Sequence, residues 1–246
     1  MIRVAMWSGP RNISTAMMRS WENRGDCAVV DEPLYAHYLS VTGLDHPALE
    51  EVIAAGDTDW RRVAEWLVTG APQLDGAETP AGVFYQKHMT HHLLPSMDLD
   101  WIRGLRNVLL IRDPREVVAS YVKSRATVTP EDIGLPQQIM LYDKLCAAAE
   151  PPPVIDAADF LRDPEGHLRA LCELLEVPFT ERMLAWPAGP RASDGVWAPY
   201  WYDAVWRSTG FEPWRPRDVR LSGEPARTAE ACLPQYERLH AARLRL

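Results

Sequence analysis

The sequence predicts an α/β fold: a doubly wound, mostly parallel sheet flanked by helices, in a single domain spanning residues 1–246. Three observations predict it. Short apolar, partly β-branched runs recur along the chain and alternate with stretches of helical spacing, the pattern of parallel strands joined by crossovers. The run Asn107–Ile111 is continuously apolar rather than alternating, as in a strand covered on both faces. Finally, Arg11, Glu32, His88 and Arg112 each follow the end of a predicted strand, where open α/β sheets collect their ligands.

Taken in order, Ile2, Val4, Met6 and Trp7 make the first strand, Ser8–Asn12 a turn, and Ile13, Met17 and Trp21 the apolar stripe of a helix. Cys27–Val30 is a second strand that ends at Asp31-Glu32-Pro33. Helices are predicted over Leu34–Val41 and His46–Ala55, and a third with Trp60, Val63, Ala64, Leu67 and Val68 buried and Thr58 or Asp59 as cap. Gly70–Gly82 is rich in Gly, Pro and Ala and reads as a surface loop, and Val83–Lys87 is the next strand. After Asn107–Ile111 comes a helix that buries Val117, Val118, Tyr121 and Val122. Thr129-Pro130-Glu131-Asp132 is a helix start leading into a helix over Gln137–Ala149. Pro151–Pro153 spaces it from the short strand Val154–Ile155, and Gly166–Glu176 is amphipathic. Residues 191–222 carry many Trp, Tyr, Pro and Arg with little periodicity, which predicts a long aromatic-rich loop or lid; 225–246 is a C-terminal helix in which Pro234 marks the first turn or a kink.

The composition is that of an ordinary soluble globular protein, 47% hydrophobic and 24% charged. A formal net charge of −8 argues against nucleic acid or a membrane surface as partner, since both need a basic face. Lysine occurs only at 87, 123 and 144, so oxyanion binding falls to arginine, whose fork suits it. The four cysteines are scattered without metal-ligand spacing and read as reduced and buried. No apolar targeting or spanning run is present at the start, which predicts a cytoplasmic protein.

The turn Gly9-Pro10-Arg11-Asn12-Ile13-Ser14-Thr15 opens a helix, whose free N–H groups and dipole favour an anion. It lacks the second glycine and the lysine of a Walker A loop, which disfavours an ordinary ATPase. It resembles instead the 5′-phosphosulfate loop of the sulfotransferases that use 3′-phosphoadenosine 5′-phosphosulfate (PAPS). Pro10, Arg11, Ser14 and Thr15 match that loop, while Ile13 stands where the family has glycine and Asn12 where serine is common. The run from Arg112 to Tyr121 is similar to the family's 3′-phosphate segment, with Arg112 and Ser120 in the phosphate-holding places. Gln86-Lys87-His88 and Leu93-Leu94-Pro95 resemble the Lys-x-His and Leu-Leu-Pro of the cytosolic members, although the lysine is displaced by one place. Residues 156–179 look like a later structural segment of the family, so the likeness spans 2–179.

The resemblance implies a PAPS-dependent transfer of a sulfuryl group to a hydroxyl, or an amine, of a small-molecule acceptor, with no metal. Pro10, Arg11, Asn12, Ser14, Thr15, Arg112, Ser120 and one C-terminal arginine, taken as Arg220, would hold the nucleotide. Arg11 and Lys87 would offset charge on the leaving oxygen, and His88 would be the general base. Glu32 rivals His88, because Asp31-Glu32-Pro33-Leu34 resembles a Glu-Pro-Leu turn of carbohydrate and glycolipid sulfotransferases. Plainer assignments stay open beside these: the first turn as a mere strand–helix connection, Arg112–Asp113 as a surface ion pair, and the aromatics of 197–214 as a satellite core. The rival functions are a P-loop kinase of a small metabolite and a non-catalytic nucleotide-binding protein of the same fold. A pyridoxal-phosphate aminotransferase would need one of the three lysines as Schiff base, and none has a supporting context.

Overall fold

In the computed structural model, which describes residues 1–74, 80–125 and 127–246, the chain opens on β1 (Ile2–Ser8), α1 (Ser14–Glu22) and β2 (Cys27–Asp31). Three helices follow, α2 (Tyr35–Thr42), α3 (Leu49–Ala55) and α4 (Trp60–Thr69), before β3 (Val83–Met89). Next come β4 (Arg106–Ile111), α5 (Pro114–Tyr121), α6 (Pro130–Ile133), α7 (Leu135–Ala148) and β5 (Val154–Asp156). The remainder holds α8 (Ala157–Arg162), α9 (Pro164–Leu174), the short α10 (Ala198–Trp201) and α11 (Asp203–Arg207), and α12 (Gly223–Ala241). Part of the predicted loop 70–82 lies outside the described residues.

The strands form one five-stranded sheet in the order β2-β3-β1-β4-β5, with every pair parallel. Period-two alternation sorts their side chains between two covered faces. Val4, Met6, Val83, Tyr85, Val108, Leu110 and Ile155 pack with Met17, Met18 and Trp21 of α1 and with Phe160, Leu168 and Leu171 of α8 and α9. On the other face Ala5, Trp7 and Phe84 meet α4 and α7 through Val63, Leu67, Leu141 and Leu145, while Leu109, Ile111 and Val154 meet α5 and α12. The chain leaves β1 for β2 and β3 on one side, then crosses to β4 and β5 on the other. The ligand crevice of such a sheet lies at this switch point, beside the carboxyl end of β1.

Local departures from the sequence expectation have local causes. The predicted helix over His46–Ala55 begins only at Leu49, because Ala48 adopts a left-handed φ of 61° and His46 is left outside the helix. Asp156 caps the unpredicted α8 by accepting from the N–H groups of Ala158 and Asp159. Asp163 starts α9 two residues earlier than expected, with Pro164 in its first turn. Thr129 and Asp132 make the expected reciprocal cap on α6, and Asp59 caps α4. Pro234 sits within α12 rather than in its first turn. Among the described residues no helix is long and apolar enough to cross a membrane.

Candidate active site

A cleft of 430 Å³ opens at the carboxyl ends of β1, β3 and β4, and residues of the turn after β1, Glu32, Lys87 and the Arg112–Tyr121 segment reach it. Its floor is the turn after β1. A Cβ at Gly9 would run into the carbonyl oxygen of Ile133, so the turn approaches the end of α6 as only glycine can. Arg11 takes a left-handed φ of 54°. Asn12 pins the turn to β4: its Nδ2 donates to the Leu110 carbonyl at 3.2 Å, and its Oδ1 accepts from the Ile13 N–H at 2.8 Å. Ile13, which departs from the glycine of the resembling loop, packs into the α1 core, so its side chain serves the fold. Among the described residues no side chain caps α1, and its first-turn residues Ser14, Thr15 and Ala16 line the cleft. Donors left unpaired in this way make an anion site of a helix start.

Arg11 and Arg112 stand together over that turn. Arg11 Nε donates to Ser120 Oγ at 3.0 Å, and Arg112 Nη1 donates to the Arg11 carbonyl at 2.7 Å. Glu116 accepts from Arg112 Nη2 at 2.7 Å one turn along α5. The two predicted phosphate segments, about a hundred positions apart, are therefore one surface. Burial and, less, the neighbouring Arg112 charge lower the Arg11 guanidinium from its ordinary value.

Lys87 and His88, adjacent in β3, face opposite sides of the sheet. Lys87 shares its side with Val83 and Tyr85 and lines the cleft. His88 shares the other side with Phe84 and Gln86: it is 1% exposed, stacks on Trp7 with ring centroids 4.0 Å apart, and meets Gln86 Oε1 at 3.2 Å. Burial, helped by the Lys87 charge, pushes its imidazole down to about 3. The base expected at His88 is thus a core histidine outside the cleft, and the one-place displacement of the lysine is the reason. In a strand, a one-residue shift exchanges the faces.

Lys87 is also not available to a ligand. Its three ammonium protons go to Asp31 Oδ1 at 2.7 Å, Glu32 Oε1 at 2.6 Å and Tyr202 Oη at 2.7 Å. Burial alone would lower the ammonium, but Asp31 and Glu32 hold it well above its ordinary value. The Tyr202 hydroxyl in turn donates to Asp31 Oδ2 at 2.6 Å and accepts from Trp197 Nε1 at 3.2 Å. Tyr202 thus joins the site from the aromatic stretch, and no motif singled it out.

Glu32 keeps one oxygen for chemistry. Its backbone is left-handed, φ 43°, directly before a proline, and is held there by its N–H on the Lys87 carbonyl and by Tyr35 N–H on its own carbonyl. Oε1 binds Lys87; Oε2 lies 3.9 Å from His92 Nε2. Burial raises the Glu32 carboxyl, and one lysine shared with Asp31 offsets this only in part. Tyr35, His46, His91 and His92 line the wall beyond it, with Tyr35 Oη 2.7 Å from His46 Nδ1.

The opposite rim belongs to the segment after Pro187. It has short helices where a long loop was expected, and it is tied down by Arg19 to Asp194 at 2.6 Å and by the Gly195 N–H to Asp31 Oδ2 at 3.2 Å. Trp197 and Tyr202 are buried with Tyr35, Tyr38 and Leu39, and Tyr202 also lines the cleft together with Trp201, Ala204 and Val205. The stretch is both satellite core and wall. Of the C-terminal arginines, Arg217 lines the cleft; Arg220 pairs with Asp218 on the surface with its side chain 87% exposed. Among the described residues one group, Asp156, Asp159 and His240, has metal-ligand proximity. It lies outside the cleft, and its carboxylates already accept from Tyr236 and Arg243.

Known proteins match this chain in sequence and in fold. The sulfotransferase domain family's sequence profile matches residues 2–242. Two proteins of Arabidopsis thaliana named branched-chain-amino-acid aminotransferase-like, proteins 2 and 1, are 35% and 38% identical over 94% and 96% of this chain. The chain spans about two fifths of their length, 40% and 41%. The sulfotransferase domain of the Synechococcus PCC 7002 olefin synthase superposes with a TM-score of 0.55 at 17% identity, covering 94% of each chain, which is a likeness of fold.

Proposed function

The chain belongs to the sulfotransferase domain family, and on that premise we propose that it transfers a sulfuryl group from PAPS to a hydroxyl or amine of a small-molecule acceptor. The observation that carries the proposal is the composition of one cleft. At one end lie an uncapped helix start, Arg11 and Arg112; at the other lies a buried carboxylate with one oxygen free. The residues present fit a nucleotide with two anionic ends. The α1 N-terminus and Arg11 suit the 5′ end, and Arg112, Ser120 and Arg217 the 3′ phosphate.

PAPS supplies the sulfuryl group on a phosphosulfate anhydride. What the protein adds is position and charge. Arg11, held by Ser120, keeps a cation over the turn. Glu32 takes the acceptor's proton through Oε2, with its carboxyl raised by burial toward working pH. Lys87, its protons fully engaged, acts as a positioning residue that fixes Glu32 Oε1. The strained backbone of Glu32 aims the carboxylate.

Calorimetry with 3′,5′-ADP tests the nucleotide half: binding that weakens roughly tenfold to a hundredfold in Arg112→Ala is expected, as for a lost charge-assisted contact. No heat at millimolar nucleotide, or unchanged affinity in the variant, overturns it. Sulfate transfer from PAPS to a panel of alcohols, phenols and amines tests the other half. Nucleotide binding without transfer would favour the non-catalytic reading, and magnesium-dependent ATP binding the kinase.

A further inference from the structure

His92 presents an unusual combination. It ends the short 3₁₀ turn Thr90–His92 after β3, is 1% exposed, and lines the cleft. Its ring stacks on Tyr35 at 4.7 Å and 7° and leans on Tyr38 at 4.8 Å. Among the described residues neither ring nitrogen has a hydrogen-bond partner. Buried polar atoms left unpaired are costly, so two on one ring, in a cleft wall, call for a ligand group. Glu32 Oε2, which has no partner among the described residues, lies 3.9 Å from Nε2. That gap is too wide for a direct hydrogen bond, but an oxygen about 2.8 Å from each atom spans it.

Burial first, and then the neighbouring His91, His46 and Lys87, hold His92 well below its ordinary value, so the ring is neutral, with one N–H and one lone pair. The ionised Glu32 carboxylate faces Nε2 and draws the proton there, leaving Nε2–H as a donor directed into the gap.

We propose that His92 Nε2–H and Glu32 Oε2 together hold the acceptor's nucleophilic atom, and that this pair selects a hydroxyl over an amine; the proposal rests on Glu32 being the base. A hydroxyl oxygen has a proton and two lone pairs. The proton passes to Glu32 Oε2, one lone pair accepts from His92, and the other forms the new S–O bond. The S–O bond to the nucleotide's 5′-phosphate breaks, and its electron pair stays on the phosphate oxygen. A neutral amine has a single lone pair, which cannot attack sulfur and accept from His92 at once. Its N–H groups would face another N–H.

Matched probes test the pair: benzyl alcohol against benzylamine and phenol against aniline, with PAPS and mass-spectrometric detection of product. The wild type is expected to prefer each hydroxyl. His92→Phe keeps the stack on Tyr35 and Tyr38 but loses both nitrogens. It should lower kcat/KM for the hydroxyl probes roughly tenfold, leave the amine rates no lower than the parent's, and bind 3′,5′-ADP as before. Nitrogen-15 NMR of the histidine rings reads the same claim without any acceptor: the proton of a neutral His92 belongs on Nε2, and Glu32→Gln should abolish that preference. A proton on Nδ1, an unchanged hydroxyl-to-amine ratio, or equal losses on both probe classes overturns the proposal. If Glu32→Gln retains turnover, the base assignment itself falls. If Glu32→Gln is inactive and His92→Phe is silent, only the pair falls.

Discussion

Lys87 Nζ donates to Tyr202 Oη at 2.7 Å, joining the third strand to a residue 115 positions later. The contact completes a buried cluster in which two carboxylates, one ammonium and one phenol satisfy one another, leaving Glu32 Oε2 free. It makes the segment 194–206 part of the wall that holds Glu32 rather than a loose cover.

Tyr202→Phe removes that phenol while keeping the ring among Tyr35, Tyr38 and Trp197. Lys87 then carries an unplaced proton and Asp31 loses a donor in a fully buried setting. The expected cost is about 1–3 kcal/mol of stability, read as a lower urea midpoint with an unchanged denaturant slope. Turnover should fall with the acceptor side affected more than 3′,5′-ADP affinity. A variant as stable as the parent would mean that the cluster is not held by its hydrogen bonds.

Glu32→Gln keeps the shape of the side chain and removes the proposed base. A loss of about 10²–10⁴-fold in kcat is expected, with nucleotide affinity retained. The pH profile provides a second check. Burial raises the Glu32 carboxyl, so the acidic limb of kcat/KM should lie above the ordinary carboxylate range and rise with pH as the group ionises. The stability effect has the opposite sense. The native state holds this proton to higher pH than the unfolded chain does, so stability linked to Glu32 falls as pH climbs from the ordinary carboxylate range through the raised value. Glu32→Gln should flatten that dependence, and a profile identical to the parent's would rule Glu32 out.

His88→Phe separates the two candidate bases. The histidine stacks on Trp7 away from the cleft, and phenylalanine can keep the stack. Turnover should remain within about threefold of the parent, since none of the proposed proton-transfer geometry changes. A loss as large as that of Glu32→Gln would return the base to His88.

These contrasts mark what the sequence could and could not say. All five strands were readable because each is a short, strongly apolar run between turn signals, and α4 and α6 because Asp59 and Thr129 announce their caps. Arg11, Ser120 and Arg112 were readable as one surface because each sits at a strand end or on the helix that follows it. The face of a strand is a matter of one residue, however, and the Gln86-Lys87-His88 motif placed the histidine one position from the side that meets the cleft. The roles of Tyr202, His92 and Arg217 stayed open for a different reason. Their roles depend on where irregular chain after β3 and after Pro187 returns to the sheet, and neither periodicity nor spacing encodes that return. Arg220, taken as the C-terminal nucleotide contact, belongs to the same irregular region, where no periodic pattern separates it from Arg217.

Gly9→Ala tests whether the proposed anion-binding turn depends on its packing against α6. The added Cβ would press on the Ile133 carbonyl oxygen, which is backbone and cannot rotate aside. The next residue, Gly134, is equally confined: its φ is 78° and its carbonyl accepts from Thr90 Oγ1 at 3.0 Å. The strain should therefore pass into the turn itself. It would displace Arg11 from Ser120 and tilt the start of α1. A stability loss of about 1–3 kcal/mol is expected, together with weaker 3′,5′-ADP binding, because the two depend on the same few tenths of an ångström. Chemical denaturation and calorimetry on one preparation give both numbers. Lost stability with full nucleotide affinity would show that the turn binds its anion without support from α6, and would move the origin of its geometry to Asn12 and β4.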